Sequence, residues 1–151
     1  MLIIRPATSI DIPILCDLLH ELFSLESEFT PDYSLQSRGL SKIIANPELG
    51  VILLAQRQNS IVGMVNLLFT VSTALGERVA LLEDMVVSAA ERNNGLGAQL
   101  LEAAIVFAKQ QDCQRITLLT DQANQPAQKF YARQGFKLSG MIPMRLDLSA
   151  L

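Results

Sequence analysis

The chain has 151 residues, 50% of them hydrophobic, and 12 lysines and arginines against 15 aspartates and glutamates give it a formal net charge of −3. Length and composition favour one domain with one core, and they exclude a disordered chain. No lysine/arginine cluster marks a nucleic-acid binder, and no apolar run nears the roughly 20 residues that span a bilayer.

The opening, MLIIRPATSIDIP, meets charge, proline and polar residues at once and lacks a signal-peptide core, which predicts a cytoplasmic protein. LIIRPAT reads as a first strand. Thr8 can cap the helix that follows, with Asp11 three residues on. Ile14, Leu15, Leu18, Leu19, Leu22 and Phe23 recur at helical spacing, which predicts an amphipathic helix from Ile10 to about Leu25. The polar SLESEFTPDYS leads to a second helix, about Leu35 to Ala45, ended by NPELG.

Then the period changes. VILLAQR and IVGMVNLLFTVST, joined by QNS, predict a hairpin, and RVALLEDMVV adds a third strand. A glycine turn opens a long helix whose Leu96, Leu100, Ala103, Ala104, Phe107 and Ala108 share a face. RITLLT is a fifth strand, and NQPAQKFYARQ a helix stopped by Gly135. FKLSG and MIPMRLDLS are expected as closing strands. A crossover helix between the strand near Glu83 and that near Leu118 implies parallel pairing there. The whole is one α/β (α+β) domain, residues 1–151. Cys16 and Cys113, without metal-ligand spacing, read as reduced core residues, and no metal is expected.

The glycine turn carries the chemistry. A helix N-terminus exposes unpaired N–H groups and the positive pole of the helix dipole. Gly95 and Gly97 let those groups reach an anion without a Cβ in the way, and Arg92 adds positive charge, so the turn is a phosphate or pyrophosphate cradle. A P-loop would need lysine and Ser/Thr where Ala98 and Gln99 stand, and Leu100 replaces the third glycine of the dinucleotide fingerprint. What remains is R-x-x-G-x-G, Arg92 to Gly97, after a strand ending in Val86-Val87.

A second marker, N-x-x-A-x-x-F-Y-x-x-x-G-F in NQPAQKFYARQGF, follows the next strand. With both in register, the sequence resembles the GNAT superfamily of acetyl-coenzyme A-dependent N-acetyltransferases. The resemblance implies a mixed, mostly antiparallel sheet with helices on both faces and a splayed parallel strand pair that admits the pantetheine arm. By the same resemblance, the backbone of Met85, Val86 and Val87 holds pantetheine. The amides of Arg92, Asn93, Asn94, Gly95, Leu96, Gly97 and Ala98 hold the pyrophosphate. Asn124 either caps its helix or bonds the coenzyme arm. Phe130 is expected in the core, and Tyr131 near the thioester sulfur.

An amine attacks the thioester directly, so the enzyme has to remove the ammonium proton, polarise the carbonyl and protonate the departing thiolate. A backbone N–H near Val87 could polarise the carbonyl, and Tyr131, whose ordinary pKa is near 10, could protonate the thiolate. Glu83 is the expected base, since alternation puts it on the face of Met85 and Val87 with Asp84 opposite. Asp84, or solvent, is the alternative. Family members that act on polyamines and amino sugars resemble LEDMVV in carrying a carboxylate there.

The acceptor pocket implied by the resemblance includes LESEFTPDYS, whose Glu26, Glu28 and Asp32 lie near Phe29 and Tyr33. Such a rim suits a polyamine, an aminoglycoside, an amino acid or a lysine side chain; it also reads as solvated helix-end charge. His20 is not expected to act in catalysis. The leading expectation is transfer to a small primary amine. A protein N-terminal or lysine acetyltransferase, and an acyl-coenzyme A sensing module without turnover, are the alternatives. The apolar MIPMRLDLSAL leaves room for a homodimer.

Overall fold

The computed structural model describes residues 1–25 and 30–151, which divide into two compact units, 1–119 and 120–151. The first begins with strand β1 (Leu2–Pro6), a 3-10 turn (Ser9–Asp11) and helices α1 (Ile12–Ser24) and α2 (Tyr33–Ala45). Strands β2 (Gly50–Arg57), β3 (Ser60–Ser72) and β4 (Glu77–Val87) follow as a meander, then helix α3 (Leu96–Gln110) and strand β5 (Ile116–Leu118). The sheet order is β1-β2-β3-β4-β5, antiparallel throughout except for the parallel pair β4–β5. This is the mixed, mostly antiparallel sheet that the sequence implies.

Local chemistry explains where the elements begin. Asp11 reaches back to the Thr8 N–H at 2.8 Å, and Pro13 sits in the first turn of α1, where its missing N–H costs nothing. Asp32 caps α2 by accepting the Leu35 N–H at 3.2 Å. Gln58, at φ +55°, supplies the left-handed turn between β2 and β3.

Both faces of the sheet are covered. Ile52, Leu54, Met64 and Val86 pack with Leu15, Leu18 and Leu19 of α1 and Leu40 of α2. Leu15, Leu54 and Met64 are fully buried, each contributing about 2–3 kcal/mol through removal from water. Gly63, next to Met64, points the other way. A Cβ there would stand 3.4 Å from Leu100 and 3.6 Å from Leu96, so its bareness lets α3 lie close on the opposite face.

In the second unit, Asn124 accepts the Ala127 N–H at 3.1 Å and caps helix α4 (Gln125–Arg133). The helix ends in a Schellman motif, in which the Gly135 N–H bonds the Ala132 carbonyl and the Phe136 N–H the Tyr131 carbonyl, at 3.0 and 3.1 Å. Gly135 takes φ +100°, which a side chain would disfavour.

Two expectations need correction. The strands expected over FKLSG and MIPMRLDLS do not form, and that stretch has only a 3-10 turn, Leu148–Ala150. Pro143 lacks a ladder donor, and Leu138, Met141, Ile142 and Met144 are all exposed, so no alternation of buried and solvated faces marks a strand there. RITLLT contributes only Ile116–Leu118 to the sheet.

Candidate active site

The parallel pairing of β4 with β5 covers Ala80, Leu81 and Leu82 and stops at Leu118. β4 continues to Val87, paired on its other side with β3. From Glu83 to Val87, therefore, no strand among the described residues covers the β5-side edge of β4. An extended polyamide such as a pantetheine arm fits such an edge by adding to the ladder.

Beyond that edge the chain passes through a 3-10 turn, Ala89–Glu91, to the mouth of α3. Asn93 at φ +68° and Gly95 at φ +77° both take left-handed backbone. Gly95 is the N-cap of α3 and offers no side-chain cap, so the first-turn amides of Leu96, Gly97 and Ala98 have no capping acceptor among the described residues. A Cβ on Gly95 would meet nothing within 4 Å, so the turn opens to a ligand there. The residues present fit a diphosphate.

Arg92 is more tied down than its sequence position suggests. Its backbone N–H bonds the Ala89 carbonyl at 3.4 Å. Its Nε donates to the Val87 carbonyl at 3.2 Å, and its guanidinium lies 3.9 Å from the Glu21 carboxylate. The side chain thus ties the turn to the end of β4 and to α1.

The carboxylates at the start of the open edge depart from simple alternation. Met64 pairs with Val86 and Asn66 with Glu83, so two steps of β3 span three of β4, a β-bulge. Asp84 sits within it at φ +50°, and its Oδ2 accepts from Asn66 Nδ2 at 2.8 Å. Cross-strand partners share a face. Glu83 therefore lies on the face of Val86, not with Met85 and Val87 as unbroken alternation predicts. Glu83 is exposed, and Asp84 partly so.

Tyr131 and Asn124 belong to the second unit. The Tyr131 ring makes edge contacts with Phe130 and Phe136, centroids 5.2 and 5.7 Å away. Burial pushes its phenol up to about 12, so it keeps its proton at neutral pH. His20 is exposed on α1. Of the acidic, aromatic rim, Glu26, Glu28 and Phe29 lie outside the described residues, Asp32 caps α2, and Tyr33 is exposed.

Sequence reasoning missed Asn66. It is 2% exposed, and its signal was a lone polar side chain within the apolar run VGMVNLLF.

The family model for the acetyltransferase (GNAT) family matches residues 14–136. YhfO of Bacillus subtilis (strain 168), an uncharacterized N-acetyltransferase, is 32% identical over 87 residues. That match spans 58% of this chain and 58% of the relative's length. A possible acetyltransferase from Clostridium difficile 630 shares the fold at a TM-score of 0.89 and 12% identity, over 98% of each chain. So does a predicted acetyltransferase from Clostridium acetobutylicum, solved with acetyl-CoA, at 0.78 and 22%, over 100% of this chain and 99% of that one. With both faces of the sheet covered, an open β4 edge and a bare helix mouth behind it, the chain belongs to the acetyltransferase (GNAT) family, a family of acyltransferase enzymes.

Proposed function

We propose that this chain moves an acetyl group from acetyl-CoA to a primary amine, the amine being part of a small cationic molecule. The observation that carries the reading is the continuity of two binding surfaces, the uncovered edge from Glu83 to Val87 and the uncapped mouth of α3. The acetyl-CoA in the Clostridium acetobutylicum relative supports it. We also propose that residues 1–151 work as one acetyltransferase domain, since the family match runs from 14 to 136, across both units. The reading requires a compartment supplied with acetyl-CoA, which the cytoplasm is. The exposed Met141, Ile142, Met144 and Leu146 are the surface a second copy would cover in a homodimer.

When bound, acetyl-CoA supplies an acyl group already activated as a thioester. The main chain of Met85, Val86 and Val87 holds the pantetheine arm, and the amides of Asn93, Asn94, Gly95, Leu96, Gly97 and Ala98 face the diphosphate, while that of Arg92 stays on the Ala89 carbonyl. Asn124 spends its carbonyl oxygen on the α4 cap and keeps its amide hydrogens for the arm. Glu83, exposed at the head of the open edge, takes the proton from the substrate ammonium, directly or through water. An amide near Val87 polarises the carbonyl oxygen. Tyr131, protonated at neutral pH, gives its phenolic proton to the departing sulfur.

The test mixes the protein with acetyl-CoA and a panel of amines, amino sugars and lysine peptides, and titrates released thiol. Acceptor-dependent thiol with small amines is expected. Turnover with peptides alone would transfer the reading to a protein acetyltransferase, and coenzyme binding without turnover on any acceptor would leave a sensing module.

A further inference from the structure

The turn that leads into α3 does not shape itself. Asn93 and Gly95 take left-handed backbone, and no hydrogen bond among the described residues is donated by the main chain of Asn93, Asn94 or Gly95. Left alone, such a segment samples many shapes, and a ligand that needs one of them loses affinity in ordering the rest. The order of the turn therefore comes from what holds its two ends.

Helix α3 holds the far end. At the near end stand two consecutive residues of opposite charge, Glu91 and Arg92, each with a partner on a different element. Arg57, the last residue of β2, donates from Nε to Glu91 Oε1 at 3.0 Å, across 34 residues of chain. The Arg92 guanidinium lies 3.9 Å from Glu21 of α1. These partners come from opposite faces of the sheet. Ile52 and Leu54 pack with α1, and β2 keeps unbroken register with β1, so alternation puts Arg57 on the other face, that of α3. The entry to the turn is thus held from both sides within two residues.

An ion pair between exposed side chains stabilises a fold little. The Glu91 side chain is only 19% exposed, however, and its partner reaches it from beyond the β2–β3 turn. The pair decides where the chain runs after β4.

We propose that Arg57 and Glu91 are positioning residues for the coenzyme. Their ion pair fixes the entry of the turn, so that the amides from Asn93 to Ala98 are arranged for a diphosphate before it arrives. The proposal rests on the acetyl-transfer reading for the identity of the ligand, and it gives the pair no part in the chemical step.

Isothermal titration with coenzyme A reads binding without turnover. Arg57→Gln should weaken it about fivefold, or about 1 kcal/mol, and leave Tm in place. Glu91→Gln should do the same, and both together no more than either alone, because each removes the same pair. Arg57→Lys, which keeps the charge, should recover most of the loss. With an amine that the wild-type protein acetylates, Arg57→Gln should raise KM for acetyl-CoA about fivefold and change kcat less than about twofold. S-acetylpantetheine, a donor without the diphosphate, should lose less than about twofold in kcat/KM. Should Arg57→Gln not fold, Glu91→Gln carries the test with the same two donors.

Unchanged coenzyme A affinity in the single variants, additive losses in the double variant, or equal losses with both donors would overturn the proposal while the activity stands. Coenzyme A that does not bind the wild-type protein would overturn the acetyl-transfer reading and this proposal with it. Coenzyme A binding weakened as expected, with no thiol released by the wild-type protein on any acceptor, would keep the positioning pair and remove the activity.

Discussion

Asp11 and Asn66 are buried to a similar degree and finished differently. Asp11 receives both guanidinium nitrogens of Arg5, at 2.9 and 3.0 Å, and the Thr8 N–H, so its charge is matched. These bonds, the guanidinium first, hold its carboxyl below the usual carboxylate range against the opposing effect of burial. Asn66 makes one bond to Asp84 and leaves an acceptor without a partner among the described residues. The fully satisfied group joins β1 to the start of α1, and the half-satisfied one lies on β3 opposite the bulge where the open edge of β4 begins. The difference separates a buried group that the fold pairs from one that it leaves short of a donor among the described residues.

Substitutions should split along that line. Glu83→Gln is expected to lower kcat about 100-fold and move the pH-rate profile upward, with stability unchanged within about 0.5 kcal/mol. Steady-state kinetics beside a denaturant titration reads both, and an unaltered profile would remove Glu83 as base.

Asp11→Ala should do the reverse, costing about 2–3 kcal/mol because Arg5 loses its partner and Thr8 its acceptor. In melting experiments that is a fall in Tm of roughly 5–10 °C, with kcat per folded molecule retained. The sign with pH follows from the depressed folded-state value. The stabilisation is present above the ordinary carboxylate range and is lost as pH falls through the lower folded value. The wild-type protein should therefore lose stability on acidification over that range, and Asp11→Ala should lose less.

Smaller effects sharpen the division. Tyr131→Phe should lower kcat about tenfold, leave coenzyme affinity nearly intact and keep the helix end, since only the hydroxyl is removed. Because burial pushes that phenol up to about 12, no alkaline limb from its ionisation should show below about pH 11. Gly95→Ala meets no steric obstacle, yet its left-handed backbone makes any Cβ cost about 1 kcal/mol. Isothermal titration should find coenzyme affinity reduced about fivefold, because the new methyl enters the space the amides face.

The legible parts were those set by local chemistry. Gly95 before α3, Asn124 before α4 and Gly135 after it are caps and breakers whose backbone needs are written in one or two residues, and all three are in place. Helical spacing found α1 and α3 because one face of each must be apolar. The bulge was not legible, because it is a property of two strands counted against each other. Within β4 alone, nothing in LEDMVV marks the extra residue, and the face assigned to Glu83 was wrong for that reason. The closing strands failed similarly. Apolar residues such as Met141 and Ile142 show that a segment can be covered, and a ladder also needs an edge to join.

The tether of Arg92 to the Val87 carbonyl and to Glu21 has a consequence for how an anion is held. In the proposed reading, the one full cation in the turn braces the chain, so the grip on the diphosphate falls mainly to peptide groups that neither titrate nor exchange counterions. Retention of such a ligand should stay nearly flat from mildly acidic to mildly basic solution. Catalysis, which depends on proton transfers, should rise and fall across the same span.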